Sequence, residues 1–395
     1  MQDADDAGRA TQRFRRVNDV LVVAVVAALV FAGERFYRAS IGPVYLTEAS
    51  LLVVAGWLVL GRLRGLPLRV SWPLVAFVGL YMAYGVVAVA AGRPTYWIAR
   101  QMALPFYVVA AIAAANTTPA LRAWVRGAWL PLLVIGVGVV WAQSGLIPGS
   151  PAFTGTLVLL LGLALVWTST IGLPWKLAIL LAAGLTELRP RSHFTFLVAF
   201  VAVAVTSWLM PRGRRAFVPL AILAALGAIA VPFLGQATDV NATWRYVYWQ
   251  DILTTGAHRA YLWGQGVGAP FLDPDFPHYD RLISQIGEQP GSQRTWAVPP
   301  HNSLLTVLLQ VGLPGLVLLL WPIVGAVRKD FGRPVPQAWA AWAAGALIIL
   351  ASNQFLEIPY NAVLFWTGIG LWQADQADRE AASSSLPPPA ATTTG

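Results

Sequence analysis

From Phe217 to Phe233 the chain runs without one polar side chain, and no other feature restricts its folding more. A helix on the surface of a water-soluble domain keeps a polar face, and this segment has none to offer. At about 1.5 Å of rise per residue, a run of roughly 18–20 residues spans a hydrocarbon layer of roughly 30 Å. Similar runs recur along the chain. Together they leave 57% of its 395 residues hydrophobic and 11% charged, against about a quarter charged in ordinary soluble domains. The pattern predicts an all-α, polytopic membrane protein.

Twelve candidate spans lie near residues 17–34, 44–61, 71–91, 97–115, 122–142, 152–170, 174–187, 192–210, 216–234, 302–327, 338–356 and 358–374. The expected organisation is a cytoplasmic N-terminal segment (1–16), a transmembrane domain (17–375) and a disordered cytoplasmic tail (376–395) rich in Asp, Ser, Pro and Thr. A cleaved signal peptide would show a shorter apolar core and a small-residue cleavage site. Here Glu34-Arg35-Phe36-Tyr37 follows the first run directly.

Charge sets the expected orientation. The short clusters Arg212–Arg215 and Arg328–Arg333 fall between apolar runs, as cytoplasmic loops require. With the N-terminus inside, 17 of the 27 Lys and Arg residues lie on the inner side, and both termini are cytoplasmic. A nucleic-acid binder would gather its basic residues on one soluble face, so the net charge of +9 does not point there.

Between the ninth and tenth spans stands one long outer loop, 235–300. Loops longer than about 12–15 residues are usually functional or disordered. This one carries Trp244, Tyr246, Tyr248, Trp249, Tyr261, Trp263 and Trp296, and disordered segments are poor in aromatics. It is expected to fold over the membrane, with 244–255 as a short amphipathic helix.

Several residues in and around this loop could carry chemistry. Arg189 and Arg191 join the seventh and eighth spans, and Arg245 opens the loop. Arginine presents a planar, permanently charged fork that binds phosphate bidentately. His301 sits where the loop enters the tenth span, in Pro299-Pro300-His301-Asn302-Ser303. Asn302 or Ser303 can cap that helix. Beside cationic arginines the imidazolium is disfavoured, which keeps the ring available as a base. Glu48, Glu187, Asp251 and Glu357 are carboxylates that could line an outward cavity, each placed where it can reach water.

Two patterns carry less. Trp263-Gly264-Gln265-Gly266-Val267-Gly268 lacks the strand–helix context of a phosphate-binding fingerprint and reads as a tight turn. Asp273-Pro274-Asp275 with His278 and Asp280 has the oxygen donors of a metal site, but Asp and Pro both favour solvated turns. With no cysteine, thiolate metal sites and disulfides are excluded.

Three pieces in order resemble the O-antigen ligase and polysaccharide polymerase family. They are Leu185-Thr186-Glu187-Leu188-Arg189-Pro190-Arg191-Ser192; Arg245, Trp249 and Asp251 followed by Gly264–Gly268; and His301-Asn302-Ser303-Leu304-Leu305 followed by Val311-Gly312-Leu313-Pro314-Gly315. Glu357 and Asn361 near the last span are similar too. The family usually shows serine before its first arginine, where this chain has Pro190, so Arg189 and Arg191 both stand for that role.

The resemblance implies a C-type glycosyltransferase-like fold in the bacterial inner membrane. It implies a saccharide donor on undecaprenyl pyrophosphate, a lipid or glycan acceptor, a periplasmic active site, and no cofactor, metal or nucleic acid. His301 would be the catalytic base. Arg191 (or Arg189) and Arg245 would bind the pyrophosphate, with Asn302, Glu187, Asp251 and Glu357 in supporting or acceptor roles. A polymerase would use the same donor and pass the glycan to a second lipid-linked chain. A secondary transporter also fits twelve spans, but it would show internal repeats and charges at mid-membrane, and neither stands out here.

Overall fold

The computed structural model describes residues 2–41, 44–146, 153–187, 193–209, 245, 248–249, 252, 258–271, 300–330, 338–352 and 356–384. The expected ninth span (216–234) and most of the long loop lie outside them.

The described chain is helical apart from one hairpin. Helix α1 (Gln2–Arg38) joins the expected N-terminal segment and first span in one rod. Strands β1 (Ser40–Ile41) and β2 (Val44–Tyr45) pair antiparallel, Ser40 opposite Tyr45. Helix α2 (Leu46–Leu63) starts where the Glu48 carboxylate accepts from the Tyr45 N–H at 2.9 Å, satisfying one of the donors a helix start leaves open.

Helices α3 (Trp72–Ala90), α4 (Thr95–Phe106) and α5 (Val109–Ala115) follow. Pro105 interrupts the apolar stretch 95–115, which still has the length and hydropathy of one span. The expected span 122–142 takes a different form. Pro119–Gly127 is a separate helix, α6, bent 70° from α7 (Trp129–Leu146). Thr118 caps α6 by accepting from the Leu121 N–H at 3.3 Å, and Pro119 opens it, a position where proline's missing N–H costs nothing.

The remaining helices are α8 (Phe153–Thr168), α9 (Leu173–Glu187), α10 (His193–Leu209), α11 (His258–Trp263), α12 (Ser303–Asp330), α13 (Ala338–Ser352) and α14 (Pro359–Ser384). The expected tail boundary at 376 falls inside α14. There Asp375 and Gln376 are buried, and the helix runs on to Ser384.

Among the described residues, four helical stretches are long and apolar enough to cross a membrane: Leu46–Leu63, Trp72–Ala90, Thr95–Ala115 and Ser303–Asp330. The bent α6–α7 pair makes a fifth if counted as one span. Shorter apolar helices occur at Thr154–Thr168, Leu173–Thr186, Leu197–Leu209 and Ala338–Ser352.

The exterior fits a lipid solvent. Val53 on α2, Val86 on α3, Leu181 on α9 and Trp321 on α12 are all more than 60% exposed, an arrangement water would disfavour. Inside, α14 packs on α5, α13 on α10, α12 on α3 and α8 on α7. Where lipid removes the hydrophobic drive between helices, close backbone approach takes over. A Cβ on Gly136 would sit 2.8 Å from the Leu159 nitrogen, and one on Gly155 2.8 Å from that of Val140. These small residues let α7 and α8 meet.

Candidate functional site

The site is built around the entry to α12. Pro300 precedes it, and the Asn302 side chain accepts from the Leu305 N–H at 3.0 Å while its carbonyl accepts from Thr306 N–H at 2.9 Å. Asn302 is therefore the N-cap, one of the two residues the sequence offered for it. His301, just before the cap, has φ of 50° and is the only non-glycine residue with positive φ among the described residues. A positive φ is uncommon outside glycine, although histidine is among the side chains that tolerate it best, so the contacts around it matter.

Those contacts lie on both sides of His301. The Trp249 indole N–H donates to the Pro300 carbonyl. On the other side, the Ser303 hydroxyl donates to Glu357 and accepts from the Leu356 N–H at 2.9 Å, tying the segment before α14 to the first turn of α12. The sequence offers Ser303 only as a cap of the helix, and nothing in its pattern marks it for this bridge.

The described residues of the stretch expected to be an amphipathic helix, Arg245, Tyr248, Trp249 and Ile252, are helical. Their spacing places them on one face. Tyr248 and Ile252 are buried against Leu305 and Leu309 of α12. That packing anchors Arg245, whose Nη1 donates to the Ser352 carbonyl at 3.1 Å. Ser352 ends α13, and the negative end of a helix suits a cation.

Arg245 and His301 thus come together. His301 keeps part of its residue surface exposed, yet its ring is enclosed. Loss of solvent, and then the Arg245 guanidinium, hold the imidazole pKa well below its usual value. The neutral ring is the basic form.

The other expected site residues divide as follows. Arg189, Arg191 and Asp251 lie outside the described residues. Glu187 ends α9 with its side chain outside them. Asp273, Asp275, His278 and Asp280 also fall outside, and among the described residues no three acids or histidines gather as a metal set. Glu357 lies beside Ser303, as above. Glu48 does not reach water. It is buried, with its carboxylate bonded to Arg100 at 2.8 Å and to the Tyr107 hydroxyl at 2.7 Å, and Arg100 stacks over the Tyr45 ring at 4.0 Å.

The glycine-rich turn has a structural role. Helix α12 breaks at Gly312 (φ 71°, ψ −172°), two residues before Pro314. Proline has no N–H, so the Gln310 carbonyl loses the donor four residues on. It accepts instead from the Gly266 N–H at 3.0 Å, and the Leu309 carbonyl accepts from Gln265. The Gly268 N–H donates to the Gln101 side chain at 2.6 Å. Arg93 donates to the Gln265 and Val267 carbonyls at 2.9 and 2.7 Å. The N–H groups of Gln265, Gly266 and Gly268, which a phosphate would need, are therefore occupied.

Below the mouth, the Tyr81 hydroxyl donates to the Gln310 side chain at 2.8 Å, both buried. Gln310 is a lone amide in an apolar run, and that was the signal that could have marked it.

The comparisons agree with this geography. The family model described as O-antigen ligase matches residues 124–320, close to half of the chain. The matched segment contains Arg245, the glycine-rich turn, His301 and the break at Gly312. No curated protein matches the chain.

Proposed function

We propose, from the premise that this chain belongs to the O-antigen ligase family, that it moves a saccharide from undecaprenyl pyrophosphate to an acceptor hydroxyl. The reaction takes place at the periplasmic face of the bacterial inner membrane, without metal or cofactor. The observation that carries this reading is the pairing of a neutral His301, at positive φ, with Arg245 at the mouth of α12.

In the proposed reaction the acceptor oxygen bonds to the anomeric carbon as the bond from that carbon to the pyrophosphate oxygen breaks. The leaving undecaprenyl pyrophosphate takes the electron pair, and His301 takes the acceptor proton. Attack opposite the leaving group inverts the anomeric centre. Negative charge grows on the pyrophosphate during transfer. Arg245, with Arg191 or Arg189, stabilises that growth more than the ground state, which is what accelerates a reaction. Asn302 fixes the helix entry. Glu357 acts through Ser303 to hold the base in place, and Glu187 and Asp251 are left to the acceptor side.

His301→Asn is the sharpest test, because asparagine tolerates left-handed backbone but supplies no base. In proteoliposomes with purified lipid-linked donor, transfer should fall by about 10²–10⁴-fold while thermal stability stays near wild type. Full activity would remove His301 from the reaction. The product pattern in the same assay separates the two family activities: a single transfer to a different lipid is ligation, and a ladder is polymerisation.

A further inference from the structure

A second site lies at the far end of the bundle. Between the N-terminal part of α1 and helix α6 is a cavity of about 880 Å³ whose lining includes Thr11, Gln12, Arg15, Arg16, Leu121 and Trp124. Helix α12 starts at His301's end and finishes at Asp330, beside the charges that lie behind this cavity. At about 1.5 Å per residue, that helix separates the two places by most of a membrane's thickness.

The cavity has an excess of positive charge. Arg15 and Arg16 line it, with Arg69 and Arg122 behind. Two carboxylates, Asp19 in the lining itself and Asp378 behind it, offset part of this charge, and both are already committed. Asp378 bridges Arg69 and Arg122. Asp19 accepts from the Thr118 N–H at 2.9 Å and from its hydroxyl at 2.6 Å. Among the described residues Arg15 makes no ion pair, and loss of solvent, then Arg69 and Arg122, lower its pKa against the smaller opposing effects of Asp378 and Asp19. An anion entering here would relieve that repulsion.

The other wall says what kind of anion. Helix α6 turns inward with Arg122, which is buried on Asp378, and Arg126, which pairs with Asp375 at 3.0 Å. Leu121 and Trp124 face the cavity, and Trp124 is 62% exposed. A short amphipathic helix bent 70° from the next span, with tryptophan on its open face, has the form of an interfacial helix at headgroup depth. Basic pockets between helices at that depth suit lipid phosphates.

We infer that the cavity between α1 and α6 binds an anionic phospholipid, its phosphodiester on Arg15 and Arg16 and its acyl chains along Leu121 and Trp124. The site is separate from the transfer centre and does not depend on the transferase reading.

The test is thermal unfolding of the full-length protein in neutral detergent with one of three additions at equal concentration: short-chain phosphatidylglycerol, short-chain phosphatidylcholine or inorganic phosphate. A ligand that binds only the folded state raises Tm with concentration. Phosphatidylglycerol should raise it by several degrees and the other two should not. Arg15→Gln/Arg16→Gln should abolish the rise, and Arg15→Lys/Arg16→Lys should keep part of it. If the double Gln variant does not fold, Arg16→Gln alone, at an exposed position, should weaken phosphatidylglycerol retention in native mass spectrometry. Equal rises with phosphatidylcholine, a rise with phosphate alone, or unchanged retention in Arg16→Gln would each overturn the assignment. Transfer activity is not read, so the outcome stands apart from that of the His301 test.

Discussion

His301 has its protonation state set by its place in the chain. Enclosure of the ring comes first and the Arg245 charge second, and both hold its pKa well below the usual value of about 6.5. As pH falls through about 6.5 the unfolded chain takes up a proton that the folded chain refuses, so stability declines until the folded ring itself protonates. Activity follows the folded ring alone. The acid limb of kcat/KM, which reports the free enzyme, should therefore lie below pH 6.5. Arg245→Gln should move that limb upward, since one of the two causes is gone, even though the overall rate also falls. An unmoved limb would mean that Arg245 does not act on the ring. The His–Asn pair was legible in the sequence, and so was the direction of the arginine effect. The left-handed backbone was not, because the contacts beside it, from Trp249 on one side and the Ser303–Glu357 bridge on the other, come from distant parts of the chain.

At the scale of elements, the break in α12 holds α11 and the glycine-rich turn to the bundle. A Cβ on Gly312 would sit 2.4 Å from the Leu262 carbonyl oxygen, and its φ and ψ belong to glycine almost alone. Gly312→Ala should therefore combine backbone strain of roughly 1–3 kcal/mol with a collision that pushes α11 and the glycine-rich turn away. Gly325 is the control, in the same helix, where a Cβ meets nothing within 4 Å. Unfolding in detergent should show a clear drop in Tm for Gly312→Ala and little change for Gly325→Ala. Equal effects would mean the turn is not held by the break. The helical, apolar character of the chain was legible because apolar runs of that length have few alternatives, whereas of the twelve expected spans four, or five with the bent pair, have spanning length and hydropathy among the described residues. The sequence also shows that Pro314 frees a carbonyl, but not which donor fills it. That donor, Gly266, is held in place by Arg93 and Gln101 from α3–α4 and its surroundings, more than 160 positions away.

At the scale of the whole molecule, the end opposite His301 is closed by charges. Asp378 takes Arg69 and Arg122; Asp330 takes Arg379 and the Trp372 indole; Asp375 takes Arg126 and Arg379. The sequence placed part of this set in a solvated tail, because composition alone cannot tell an acid that meets water from one that meets a guanidinium 309 positions away. Burial decides how much each pair matters. The Arg122 side chain is 2% exposed, whereas Lys329 and Glu380 are 54% and 47% exposed. Breaking a buried pair costs about 3–5 kcal/mol because a charge is left without its partner, whereas exposed pairs contribute about 0–1 kcal/mol. Asp378 is itself 31% exposed, so its loss belongs at or below the bottom of the first range. Asp378→Asn keeps the shape, yet it removes the charge between Arg69 and Arg122 and turns an amide donor towards one of them. It should lower Tm distinctly, and Glu380→Gln should leave it within error. If the two variants unfold alike, Asp378 contributes no more than a surface pair, and the anchoring of α14 to α6 must rest on the Arg126–Asp375 pair and on apolar packing.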